Sequence, residues 1–118
     1  MAGEVAFLER VYQRFNARDI DGVLACLHGD VMWANGQDGG HVRGRDGVRQ
    51  YWMRQWAMID PHLDPTDFSI GADGEIAVEV RQTVRDLGGK LLADRKVRHV
   101  FRLQDGLIRR FDIGTINE

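Results

Sequence analysis

The chain is poor in residues that would tie it down covalently or interrupt it: its 118 positions include one cysteine, Cys26, and two prolines, Pro61 and Pro65. A lone cysteine excludes an internal disulfide and fits a reducing compartment. Because Cys26 lies in an apolar run, it reads as a buried, inert thiol. Long hydrophobic runs are missing too. Acidic residues break the segment from Met1 to Phe15 before it reaches signal-peptide length, so no membrane partner is expected and the cytoplasm is the expected location. Nor is there a block of one charge sign. Sixteen basic and eighteen acidic residues give a formal net charge of −2 and are interspersed, which leaves no basic footprint for nucleic acid. The histidines His28, His41, His62 and His99 lack the close His/Cys spacing of a zinc site. The glycines from Gly36 to Gly47 lack the Lys-Ser/Thr ending of a phosphate cradle. Neither metal nor cofactor is expected, and His41 and His62 read as loop residues.

What is present is enough apolar material, 43% of the chain, to bury one core, so residues 1–118 read as a single domain. Val5, Leu8, Val11, Tyr12 and Phe15 recur at steps of three and four and predict a first helix. Asp19 can cap a short second helix that carries Ile20, Val23, Leu24 and Leu27 and ends near His28 and Gly29. Residues Val31 to Asn35 read as a strand, and Gly36 to Gly44 as a loop. A third helix capped by Asp46 runs through Val48, Tyr51, Trp52, Gln55 and Trp56 and stops before Asp60-Pro61. The steps Asp60-Pro61 and Asp64-Pro65 mark a crossover.

Beyond it the period changes to two. Ile76, Val78, Val80 and Val84 alternate with polar residues, and so do Val97, His99, Phe101 and Leu103. Gly88-Gly89 and Asp105-Gly106 are the turns of an antiparallel meander. Arg81, Arg85, Lys96, Arg98 and Arg102, mixed with Glu79 and Asp94, make a solvated or interface face. Three helices covering a curved antiparallel sheet form an α+β cone with a cavity, where function is to be sought.

Several segments resemble a known superfamily. Phe15 to Leu24, continuing through Gly29, Asp30, Val31, Met32 and Trp33, is similar to the opening of nuclear transport factor 2-like, cystatin-like domains. Gly44 to Val48 resembles their third-helix start, and Phe101 to Ile108 their last hairpin. The match spans the chain in order, and it is most similar to the SnoaL-like branch with its ketosteroid isomerase and polyketide cyclase relatives. The resemblance implies a homodimer through the exposed sheet face. It does not select one activity, because this fold hosts isomerases, cyclases, dehydratases and proteins that only bind.

The last hairpin holds the candidate chemistry. If Asp105-Gly106 is a two-residue turn, Leu103 opposes Ile108, Phe101 opposes Arg110 and His99 opposes Asp112, and the last two can share acid/base work. Polyketide cyclases resemble this in carrying a His and an Asp on their closing strands. If the turn holds three residues, Asp112 moves to the other face beside Arg98 as an ordinary ion pair. Asn35 occupies the place of the ketosteroid isomerases' Asp base, where an amide can only donate or accept a hydrogen bond; their tyrosine donor falls at Val11, next to Tyr12, and their protonated Asp at His99. Steroid isomerisation by that mechanism is therefore disfavoured. Tyr12, Trp33, Trp52, Trp56 and Phe101 are either walls of a site for a small hydrophobic ligand or plain core. Two functions follow: a cofactor-independent isomerase, cyclase or dehydratase acting on a small hydrophobic carbonyl compound, or a noncatalytic ligand-binding or dimerisation module.

Overall fold

The computed structural model describes residues 2–36, 38–71 and 73–115. Helix α1 (Ala2–Asn16) buries the predicted stripe through Leu8, Val11, Tyr12 and Phe15. The chain leaves it through Arg18 at φ 62°, a left-handed position where glycine is usual. Arg18 is held there by Asp60, by the Pro61 carbonyl at 2.6 Å and by stacking over Trp56 at 4.9 Å. Helix α2 (Ile20–Leu24) is capped by Asp19, whose carboxylate accepts from the Gly22 amide at 3.0 Å. It is shorter than expected, because Leu27 opens strand β1 (Leu27–Ala34).

Two further expectations change. Strand β2 (His41–Arg43) forms within the segment read as a loop, because residues 32–34 offer it an edge to pair with. Helix α3 (Gly44–Trp56) begins two residues ahead of Asp46, so that carboxylate lies in the first turn, near the positive end of the helix, instead of capping it.

Strands β3 (Ile59–Ile70), β4 (Ile76–Asp86), β5 (Leu91–Gln104) and β6 (Leu107–Thr115) complete a six-stranded sheet in the order β2-β1-β6-β5-β4-β3. Every pairing is antiparallel except β1 with β6. The Asp-Pro steps are not a crossover, and His62 is not in a loop: all lie in β3, the edge strand. An edge strand has one side without a ladder, so prolines four apart cost it no hydrogen bond. Leu63, between them, turns its amide and carbonyl to that free side, where Asn16 takes both at 2.9 and 2.8 Å. One side chain thus closes the exposed edge and clamps α1 to the sheet.

The last hairpin decides which side chains enter the cone. Asp105 and Gly106 have φ of 55° and 77°, the left-handed pair of a tight two-residue turn, and Leu103 opposes Ile108. A bulge at Arg109 then shifts the register. Beyond it Phe101 faces Phe111, Val100 faces Asp112, and His99 faces Ile113.

Candidate functional site

Helices α1 and α3 cover the concave face, and the space between is a funnel of three adjoining hollows that share lining residues. Its deep end, about 20 Å³, is lined by Val11, Tyr12, His99 and Phe101 among others. A neck of about 50 Å³ follows between Trp33, Trp52, Phe111 and Gln82. The mouth, about 420 Å³, opens between Tyr51, Gln55, Gln82, Arg95 and Ile113. Only the mouth reaches the roughly 300–1,000 Å³ usual for small-molecule sites, so the inner parts admit a narrow group and the mouth a larger body.

His99 borders both the deep end and the neck. His99 is 3% exposed, and its Nδ1 lies 2.7 Å from the Tyr12 hydroxyl, itself 3% exposed. Burial lowers the imidazole pKa to about 3 and raises the phenol well above its usual 10, so both groups are neutral at pH 7. The tautomer follows from the surroundings. If Nδ1 carried the proton, the phenol O–H and a bare Nε2 would both lack partners among the described residues. With Tyr12 donating to Nδ1 the phenol is satisfied, and Nε2–H has no partner among the described residues. Phe111 packs edge-on against the ring at 4.7 Å and Tyr12 lies parallel to it at 5.8 Å, which fixes its plane.

The other candidates divide. Asp112 does not meet His99. The bulge turns it to the outer face, where it accepts from Arg110 at 2.8 Å and contacts His41 at 2.7 Å. Arg110, with smaller help from His41, holds its carboxyl below the usual carboxylate range. Asn35 stands just beyond β1, at the rim; its side-chain oxygen accepts from the Asp38 amide at 2.9 Å, and its backbone exchanges bonds with Gly39 and Gly40. It orders the β1–β2 connection. Trp33 stacks on Phe111 at 4.0 Å and meets Trp52 edge-on at 5.2 Å, and both indoles line the neck. Phe101 lines the deep end, whereas Trp56 stacks behind Trp52 at 5.7 Å, away from the funnel.

Phe111, Leu63, Gln55, Gln82 and Ile113 also line the funnel and were not singled out from the sequence. A signal for Phe111 existed. Arg109 and Arg110 stand side by side between apolar Ile108 and Phe111, and two adjacent polar residues in an alternating strand mark a bulge. Among the described residues no group of three or more His, Cys, Asp or Glu side chains is placed to hold a metal ion, and no helix is long and apolar enough to cross a membrane.

The fold recurs in solved structures. A nuclear transport factor 2-like protein of unknown function from Burkholderia pseudomallei is 27% identical, with a TM-score of 0.84 over 98% of this chain and 92% of that one. TerC, co-crystallised with polyporic acid, is 24% identical, with a TM-score of 0.81 over 95% and 90%. A Mycobacterium tuberculosis protein in complex with estradiol-17beta-hemisuccinate is 19% identical, with a TM-score of 0.80 over 96% and 92%. No curated protein matches by sequence. The family model of the SnoaL-like domain matches residues 8–111, nearly the whole chain, and the protein belongs to that family.

Proposed function

We propose that the protein binds a small, flat, largely apolar compound in the funnel and holds an acceptor oxygen of that compound, such as a carbonyl, on His99 Nε2–H. One observation carries this reading: a buried, neutral Tyr12–His99 pair whose Nε2–H has no partner among the described residues, bordering the inner parts of a funnel walled by aromatic rings. A donor in an apolar site gains strength from the low dielectric, and it polarises a carbonyl without being charged. Polyporic acid and estradiol-17beta-hemisuccinate in two similar structures support a small organic ligand.

The same pair favours a second reading, cofactor-independent isomerase, cyclase or dehydratase chemistry in which the carbon beside the polarised carbonyl loses a proton and the oxygen takes the charge. An imidazole with a pKa of about 3 is a weak base. Among the described residues no Asp or Glu lines the deep end, the neck or the mouth. Binding therefore comes first and turnover second.

The test is a panel of aryl ketones, epoxides and polyketide mimics, with binding read from tryptophan fluorescence and turnover from product analysis. His99→Phe should weaken binding of ketones about tenfold, the upper value of one hydrogen bond, and leave hydrocarbons of the same shape nearly unchanged. Failure of every compound to bind would remove the reading. The protein is also proposed to act as a homodimer through the outer sheet face, and in the cytoplasm, where its single buried thiol needs no oxidising environment.

A further inference from the structure

We infer that the funnel selects ligands bearing an anionic group, a carboxylate or its equivalent, which Arg95 receives at the mouth. This deepens the ligand-binding reading above and rests on it. Arg95 lies four residues before His99 on β5, so both side chains belong to the concave face. Gln82, opposite it on β4, accepts from Arg95 Nε at 3.1 Å. That bond steadies the guanidinium and leaves both of its Nη groups for another acceptor.

No acid among the described residues fills that role. Among the described residues Arg95 makes no ion pair, and no Asp or Glu lines the mouth, whereas Arg95 and Lys96 both do. The neighbouring acid, Asp94, points to the opposite face and gives both carboxylate oxygens to Arg81, at 2.9 and 2.6 Å. On the outer face Arg102 is matched by Asp73 and Glu75, and Arg110 by Asp112, whereas Arg98 makes no ion pair among the described residues. A cation unmatched among the described residues where a 420 Å³ hollow opens, beside neutral Gln55 and Gln82, raises the local concentration of anions and fits their planar carboxylates.

The spacing sets the ligand's shape. Four residues of strand separate the Cα atoms of Arg95 and His99 by about 13 Å at roughly 3.3 Å each. The ligand therefore carries an acceptor oxygen at one end and its negative charge at the other, with a flat apolar body between.

Three probes test this on the full chain: acetylbiphenyl, an acetylbiphenyl carboxylate with ketone and acid at opposite ends, and the methyl ester of that acid. The acid should bind about fivefold tighter than the ester, the gain of one solvent-exposed ion pair. The preference should shrink at high salt, disappear in Arg95→Gln, reverse in Arg95→Glu and survive in Arg95→Lys. Arg95 is exposed, so these variants should fold, which circular dichroism will show. Equal binding of acid and ester, or a preference that Arg95→Gln leaves intact, overturns the anion selectivity while the neutral probes still report on the ligand-binding reading. Failure of all three probes to bind overturns both.

Discussion

At His99 the protein keeps an imidazole almost wholly out of contact with solvent, and that choice has a measurable cost. The folded ring takes a proton only near pH 3, whereas the unfolded ring takes one near its ordinary 6.5. Between those values the unfolded state binds more protons, so stability is full above about pH 6.5 and is lost as pH falls. At about pH 5 the loss is on the order of 2 kcal/mol, at about 1.4 kcal/mol per pH unit. The lowered carboxyls of Asp73, Asp94 and Asp112 act in a separate window, since their contribution is lost only as pH falls below the usual carboxylate value of 3.8. Urea denaturation between about pH 6.5 and pH 4.5 should therefore show a slope that His99→Gln flattens; an unchanged slope would mean the ring is not the group responsible. Tyr12 acts at the other extreme: its raised phenol pKa adds stability that is lost as pH rises beyond about 10. The sequence marks His99 as an inward strand position and Tyr12 as part of a helical stripe. Their contact joins residues 87 positions apart, which no local pattern predicts.

Strand β6 shows how one extra residue redistributes chemistry. Strict alternation from Ile108 would send Arg110 and Asp112 into the cone. The bulge at Arg109 sends Phe111 inward instead, where it is 4% exposed, and leaves Asp112 among the charges of the outer face. Burying two charged side chains costs far more than a locally broken ladder, so the hydrophobic register prevails. This orders two substitutions. Phe111→Ala should cost about 3–5 kcal/mol, as for a buried aromatic. Asp112→Asn should cost under about 1 kcal/mol, as for a partly exposed ion pair. Thermal and urea unfolding of the two variants would show the reverse order if the ladder were regular. The turn at Asp105-Gly106 was legible because both residues must adopt positive φ, a local demand with a local signature. The bulge was written only in the pair Arg109-Arg110, and reading it requires knowing which face is buried.

For the whole molecule, the outer face carries ion pairs such as Arg81 with Asp94 and Arg102 with Glu75, while the concave face holds the apolar core. Association through the outer face predicts a dimer in sedimentation at micromolar concentration that weakens as salt screens those charges; a monomer under those conditions removes the proposed homodimer. The α+β class, the three helices, the meander and the concave-facing valines were determined by the sequence alone, because hydrophobic period and turn chemistry act over a few residues and need no partner. Strand β3 escaped that reading because an edge strand tolerates proline. Tertiary structure alone decided the contents of the funnel: Tyr12 with His99, Phe111 in place of Asp112, and Arg95 at the mouth. The reason is physical. Those positions follow from how strands slip and helices dock to bury the most apolar surface with the fewest unmatched polar groups, a balance struck over the entire chain.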